Sequence, residues 1–487
     1  MTLATRAVRG AFYVLVGSYA NLAIGFVYTI IMARLLAPEH FGVFALAQFF
    51  VTLLDARGKL GLDYAFVHRQ PTTEQLVATH WVLRMSAAII TMLLVAIATF
   101  GVGAWGYPAA TAPLMLALAG ALMLEAAGTT ARAALEKELV FARSTVVITA
   151  SLFISYLLAI VLAFAGFTHW ALAAQFATNA LLSTLGFWWA FRRLGACVIL
   201  GFNFDRALAR WLLRFGATLA LGSFATIVLL QFDNFLVGTF VGAAALGYYT
   251  QAYKVAQWPT GLVTHIVSRA ALPTYAKIQN DLPRLAKAFE MTLWLILTLA
   301  TPIALAIFVA APDFLILIYG ERWLPSALLL RFLIGYSLLR PLLDDTGALF
   351  VALGQPRRVT MVLVTQALAL VVAATPLTFA WNAAGTAIGV GVAFIIGIAL
   401  TYSFVARTIP IRLARVFAPT IVAALGSGGV YFLLTRAFDL NALPLLMRVA
   451  VKGGFAAAMF GALVLVLERR AFFERVNYVR QLLFARR

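Results

Sequence analysis

The sequence predicts an all-α polytopic membrane protein of about fourteen transmembrane helices, on three observations. Hydrophobic residues make up 63% and charged residues 11% of its 487 positions, against about 45–50% and about 25% in a soluble domain. The apolar residues gather in runs of about 20, the length at which a helix crosses a hydrocarbon core. The 37 Lys and Arg collect in every second connection between those runs, as they do where basic residues stay on the cytoplasmic side.

Breaks at Pro, Gly or charge delimit the spans. The first, Ala11 to Ala33, follows a short basic N-terminus and is too long for a signal-peptide core, so it reads as a retained membrane helix. Phe41 to Tyr64, Thr79 to Phe100, Ala109 to Thr129, Thr145 to Ala165 and Trp170 to Phe191 complete a first set of six. Trp211 to Phe240, Leu246 to Ala271, Ala288 to Ala310, Pro325 to Leu353, Val359 to Ala380 and Ala383 to Val405 form a second set. Leu413 to Leu434 and Leu445 to Leu467 are two further spans.

The connections after spans two, four, six, eight, ten and twelve carry His68-Arg69, Arg132/Lys137/Arg143, Arg192/Arg193/Arg206/Arg210, Lys277/Arg284/Lys287, Arg357/Arg358 and Arg407/Arg412. Those after spans three, five, seven and eleven carry no Lys or Arg, and connections one, nine and thirteen have one or two each, such as Arg34, Arg322 and Arg436. Both termini are basic, which places both in the cytoplasm and requires an even number of spans. The net charge of +19 is therefore a topology signal, and nucleic acid is not an expected partner. Outside connections of at most about 15 residues leave no room for a folded extracytoplasmic domain.

A gap-free offset of 205 lays Gly17-Ser18-Tyr19-Ala20 on Gly222-Ser223-Phe224-Ala225, Gly42 on Gly247, Phe44 on Tyr249 and Ala47 on Ala252. It superposes spans one and two on spans seven and eight. Repeats of six spans have the same orientation, related by an axis along the membrane normal. The expected organisation is an N-terminal six-helix lobe over residues 1–200, a C-terminal six-helix lobe over 201–408, and two more spans with a basic tail over 409–487.

An ionisable side chain at bilayer depth costs at least about 2.5–3.5 kcal/mol on insertion scales, so it faces a protein interior or a watery cavity. Asp55, Arg57, Lys59, Asp63 and Arg269 lie towards cytoplasmic helix ends, where long side chains also snorkel. Arg340, Lys254 and Asp233 lie well inside their spans, with Arg84 and Glu125 in spans three and four and Asp344 and Asp345 in span ten. Arg340, Lys254 and Arg84 are candidates for an anionic group, Arg by bidentate contact to phosphate and Lys as a point charge. Asp233, Glu125, Asp344 and Asp345 are candidates for charge balance or for coupling to a proton or Na+. Asp233 with Lys254 also reads as a static ion pair between spans seven and eight.

Pro259, Pro273, Pro302, Pro341 and Pro376 fall within or at the ends of spans, where loss of a backbone donor permits a kink. Gly385/Gly389 and Gly391/Gly397 allow close helix packing. There is no G-x-x-x-x-G-K-[ST] loop, and the five histidines have no metal-ligand spacing. Cys197, the single cysteine, can form no internal disulfide. The reading is of a transporter without a cofactor and not of an enzyme.

Three stretches resemble the polysaccharide flippases of the multidrug/oligosaccharidyl-lipid/polysaccharide exporter superfamily. They are ARLLAPEHFGVFALA (Ala33 to Ala47), DNFLVGTFVGAAALGYYTQAYKVAQWP leading to ALPTYAKIQND (Asp233 to Asp281), and Tyr319 to Arg357, with YGERWLPSALLL and GALFVALGQPR. The resemblance implies two six-helix lobes forming a V around a central cavity. It implies an oligosaccharide on undecaprenyl pyrophosphate as substrate, turned across the bacterial inner membrane by alternating access, with polysaccharide polymerase and export machinery as partners. The sugar then needs a hydrated cavity, with Asn21, Gln48, Gln231, Asn234, Tyr249 and Gln251 as hydrogen-bonding candidates. Two other readings stay open: a multidrug or cation antiporter of the same superfamily, and a membrane polysaccharide polymerase or ligase, against which the short outside connections argue.

Overall fold

The computed structural model describes residues 3–55, 61–193, 203–217, 220–469 and 472–475. Every regular element among them is helical. The chain forms two compact units, Met1–Thr250 and Gln251–Arg487.

The first unit holds α1 (Leu3–Leu35), α2 (Pro38–Asp55), α3 (Leu62–His68), α4 (Glu74–Val102), α5 (Thr111–Lys137), α6 (Phe141–Phe164), α7 (Thr168–Arg192), α8 (Arg206–Ala217), α9 (Ala220–Leu236) and the first half of α10 (Ala243–Ala256). The second holds the rest of α10, then α11 (Trp258–Lys277), α12 (Leu282–Tyr319), α13 (Ser326–Ser337), α14 (Leu339–Ala352), α15 (Pro356–Ala406), α16 (Leu413–Ala437) and α17 (Leu445–Leu467). Among the described residues, ten helical segments are long and apolar enough to cross a membrane. α2, α7 and the α10–α11 pair are not among those ten.

Several expected spans are divided. Span two ends as a helix at Asp55, and Asp63 belongs to the separate α3, entered through Gly61 at φ 64°. Only glycine adopts that left-handed conformation without steric cost. Arg57 and Lys59 lie outside the described residues, as does Cys197. Span seven is described as α8 and α9, with residues 218–219 between them outside the described residues, span eight is split at Gln257 ahead of Pro259, and span ten is split at Leu338 ahead of Pro341. A proline in the first turn of a helix removes no bond that the turn would have made, so these prolines start helices. Pro302 and Pro312, by contrast, sit inside the 38-residue α12, where the buried Ala300, Thr301 and Ala304 hold the flanking turn.

α15 covers spans eleven and twelve. Its helical geometry fails only at Trp381 and Asn382, the latter at φ 54°, and the chain doubles back. Added Cβ atoms on Gly385, Gly389 and Gly397 would meet Leu377 O at 1.8 Å, Ala374 Cα at 2.4 Å and the Gln366 side chain at 2.2 Å. The limbs are antiparallel and in backbone contact, which only a missing Cβ permits. Gly391, expected in the same role, faces open space.

A second close approach joins α2 and α10. A Cβ on Gly42 would lie 1.7 Å from Ala243 O, and one on Gly247 would lie 1.8 Å from Pro38 O. The offset of 205 that relates Gly42 to Gly247 also relates Pro38 to Ala243. The contact is therefore reciprocal, each glycine admitting the backbone at the partner's helix start.

In the second unit α17 packs on α12 through charge. Asp313, 5% exposed, accepts from Arg448 Nη1 at 3.0 Å and Lys452 Nζ at 2.6 Å. Arg448 Nη2 also donates to the carbonyls of Asn441 and Leu443 at 2.9 and 3.2 Å. Both cations lie one turn apart at the start of α17, so one carboxylate serves both.

Candidate functional site

In the first unit, Glu125 on α5 lines two recesses. The smaller is formed with Asp55, Arg84, Ala87, Ala88, Leu122 and Ala126, so Arg84 and Glu125, from separate spans, do converge. Arg84 is 11% exposed, with its Nε 3.9 Å from Asp63 Oδ1. The same Asp63 oxygen lies 3.3 Å from Nε2 of the buried His80. His80 Nδ1 lies 2.9 Å from Thr130 Oγ1. With the ring neutral and Nδ1 accepting from the threonine hydroxyl, the proton sits on Nε2, the nitrogen beside the carboxylate. Burial works to raise the Asp63 carboxyl, but the His80 contact and the Arg84 and Arg132 charges outweigh it, holding it below the ordinary carboxylate range.

The larger recess, about 270 Å³, lies between α5, α6 and α7. Glu125, Thr129 and Arg132 line it from α5, spaced to share one face. Asn179, Ser183 and Thr184 line it from α7, with Phe176 and Phe187 beside them and Ile148 and Leu152 from α6. The seam beneath is close because Gly128 faces Thr184: an added Cβ would lie 2.8 Å from Thr184 Cα. Thr184 Oγ1 donates to Leu124 O at 2.7 Å, and Trp188 Nε1 to Ala127 O at 2.8 Å. Arg132 is held by Glu136 at 2.9 Å. The wall thus offers a carboxylate, a guanidinium, an amide, hydroxyls and aromatic rings on helices of membrane-spanning length. Such a mixture matches a sugar, which carries hydroxyls at its edges and C–H groups on its faces.

Asn179, Ser183 and Thr129 were not among the residues expected from sequence. Their signal was present as polar residues four apart, Asn179/Ser183 and Glu125/Thr129, within apolar spans.

Asp233 forms a separate cluster. It is buried, accepts from Tyr249 Oη at 2.9 Å and takes the backbone N–H of Asn234 at 2.8 Å. Asn234 Nδ2 donates to Gln231 Oε1 at 3.3 Å. Four of the expected residues therefore meet on α9 and α10, and the partners of Asp233 here are neutral donors. Asn21 on α1 has a buried, unpartnered Oδ1, and Gln48 is half-buried on α2.

In the second unit, Gln251 is buried with both amide atoms unpartnered, and the Lys254 side chain is exposed. Asp344 and Asp345, adjacent in sequence, part company. Asp344 is exposed, in electrostatic range of the half-buried Arg340. Asp345 is 3% exposed and accepts from Tyr275 Oη at 3.0 and 3.2 Å. Tyr275 Oη also meets Thr292, so the hydroxyl that donates to this carboxylate is itself held by a second hydroxyl. Successive positions on a helix point about 100° apart, which is why the two carboxylates have different partners. Among the described residues no group of three or more His, Cys, Asp or Glu could hold a metal ion.

Comparison with known proteins agrees with this architecture. Residues 31–328 match the family described as polysaccharide biosynthesis protein. The lipopolysaccharide biosynthesis protein WzxC of Escherichia coli (strain K12) is 25% identical over 356 residues, 72% of this chain and 71% of its own. The succinoglycan biosynthesis transport protein ExoT of Rhizobium meliloti (strain 1021) is 27% identical over 301 residues, 61% of this chain and 59% of its own. Among solved structures, the lipid II flippase MurJ in an inward closed conformation has a TM-score of 0.71 at 15% identity, covering 94% of this chain and 99% of that one. An inward-facing multidrug resistance MATE transporter of the MOP superfamily has a TM-score of 0.64 at 15% identity, covering 80% and 97%. The chain belongs to the polysaccharide biosynthesis protein family, the polysaccharide flippases of the multidrug/oligosaccharidyl-lipid/polysaccharide exporter superfamily. It is a multi-pass membrane protein.

Proposed function

We propose that this protein moves undecaprenyl-pyrophosphate-linked oligosaccharide units across the bacterial inner membrane by alternating access, with both termini cytoplasmic. The observation that carries this reading is the recess of about 270 Å³ at Glu125, a polar and aromatic wall between α5, α6 and α7. Glu125, Asn179 and Ser183 bind sugar there, with Asn21, Gln48, Gln231, Asn234, Tyr249 and Gln251 as further contacts along the path. Arg84 within the first unit, and Lys254 and Arg340 within the second, are the cations assigned to the pyrophosphate. Asp233, Asp344 and Asp345 balance that charge or carry the coupling proton or Na+, Asp345 being the best placed because it is buried with a neutral tyrosine hydroxyl as its donor. Polymerase and export machinery receive the product.

Deletion of the gene tests the reading. It should accumulate one lipid-linked oligosaccharide at the cytoplasmic face, and wild-type protein should clear it. Arg340→Ala should insert normally yet fail to restore surface polysaccharide, and a normal polysaccharide level in that strain sinks the assignment. Asn179→Ala should slow translocation roughly fivefold, for about 1 kcal/mol of lost hydrogen bonding.

A further inference from the structure

We propose that α8 is a docking helix for anionic lipid, with Arg206, Arg210 and Arg214 clamping the phosphate layer of the leaflet on the side of the basic connections. The three are spaced i, i+4, i+8, which sets them along one stripe of the helix, and all three are exposed. None has an ion-pair partner among the described residues. From Arg206 to Ala217 the helix has no carboxylate.

The opposite face fixes the stripe's direction. Ala209, Leu212 and Gly216 are buried, Leu212 within the cluster that also holds Phe66, Leu76 and Phe187. Trp211 stacks with His68 and Phe215 packs against it at a tilt, ring centroids 6.3 and 5.1 Å away. Asp205 caps the helix, accepting from the backbone N–H of Ala207 and Leu208 at 2.7 and 3.1 Å, while its own N–H donates to Thr79 Oγ1 at 3.0 Å. A helix held this way presents its arginines outward without rotating.

The membrane is the surface within reach. α8 (Arg206–Ala217) is followed in the chain by α9 (Ala220–Leu236), which carries the apolar span Phe224–Val241. Leu213, 41% exposed, flanks the stripe, and Phe204, 43% exposed, precedes it. Arginines for phosphates beside apolar groups for the acyl boundary are what an interfacial helix presents. The proposal uses only the membrane character and charge sidedness of the chain, and does not depend on its cargo.

The full-length protein in bilayers is labelled with a photoactivatable phosphatidylglycerol and, separately, a phosphatidylcholine analogue. Phosphatidylglycerol should label residues 203–217 in preference to phosphatidylcholine. The variant R206Q/R210Q/R214Q should cut that label at least tenfold, since each basic residue near an anionic surface contributes about fivefold, and should leave phosphatidylcholine labelling unchanged. R206K/R210K/R214K should keep most of the preference. In wild-type protein, salt at about 0.5 M should weaken it by screening, a readout that does not require the glutamine variant to fold. Equal labelling by both lipids, or a preference that survives the glutamine variant or the salt, overturns the proposal.

Discussion

Replacing Asp313 with Asn should cost the second unit more than any surface change. The carboxylate is buried and serves two cations, Arg448 at 3.0 Å and Lys452 at 2.6 Å. Arg448 keeps the carbonyls of Asn441 and Leu443 when the charge is removed. Lys452, 13% exposed, donates to no carbonyl among the described residues. Removing one partner of a buried pair costs about 3–5 kcal/mol, mostly the uncompensated charge left behind. For a unit of this size that lowers the midpoint of thermal unfolding by roughly 6–20 °C, read by intrinsic tryptophan fluorescence in detergent. The cause is separable from lost packing. Adding Lys452→Met to Asp313→Asn removes the orphaned ammonium and should recover part of the loss, although Lys452→Met alone should destabilise. A double variant no more stable than Asp313→Asn, or an Asp313→Asn protein melting within about 2 °C of wild type, refutes the reasoning.

Two other outcomes are expected. Gly42→Ala and Gly247→Ala each place a methyl group against backbone and should cost about 1–3 kcal/mol through overpacking. Wild-type yield and melting behaviour in both would contradict the reciprocal contact of α2 and α10. Asp63, held below the usual carboxylate range, should add stability that is full above its unfolded value near about 3.9 and is lost as pH falls through its lower folded value. The melting difference between wild type and Asp63→Asn should accordingly shrink on acidification below about pH 4, and a gap constant with pH would exclude that role.

Much of the site was legible residue by residue but not as a constellation. Arg84 and Glu125 stood out because a charge in an apolar span is costly, and they do share a recess. Asn179 and Ser183 escaped because uncharged polar residues carry a much smaller penalty in a membrane helix. Asp344-Asp345 read as a pair, yet helix rotation sends one to Tyr275 and the other towards Arg340. Asp313, Arg448 and Lys452 drew no notice near helix ends, where charges are ordinary.

By itself the sequence determined the membrane class, the helical content and the uneven distribution of positive charge, and its motifs resembled the right family. Each of these rests on composition or on spacing along one segment, so nearby residues suffice to reveal it. The tertiary structure alone decided which side chains meet: Asp313 with cations 135 and 139 residues away, Glu125 beside Asn179, and Gly42 against the start of α10. Helical spacing gives the face a residue occupies. Which helix lies opposite that face depends on how all of them pack, and no single segment contains that information.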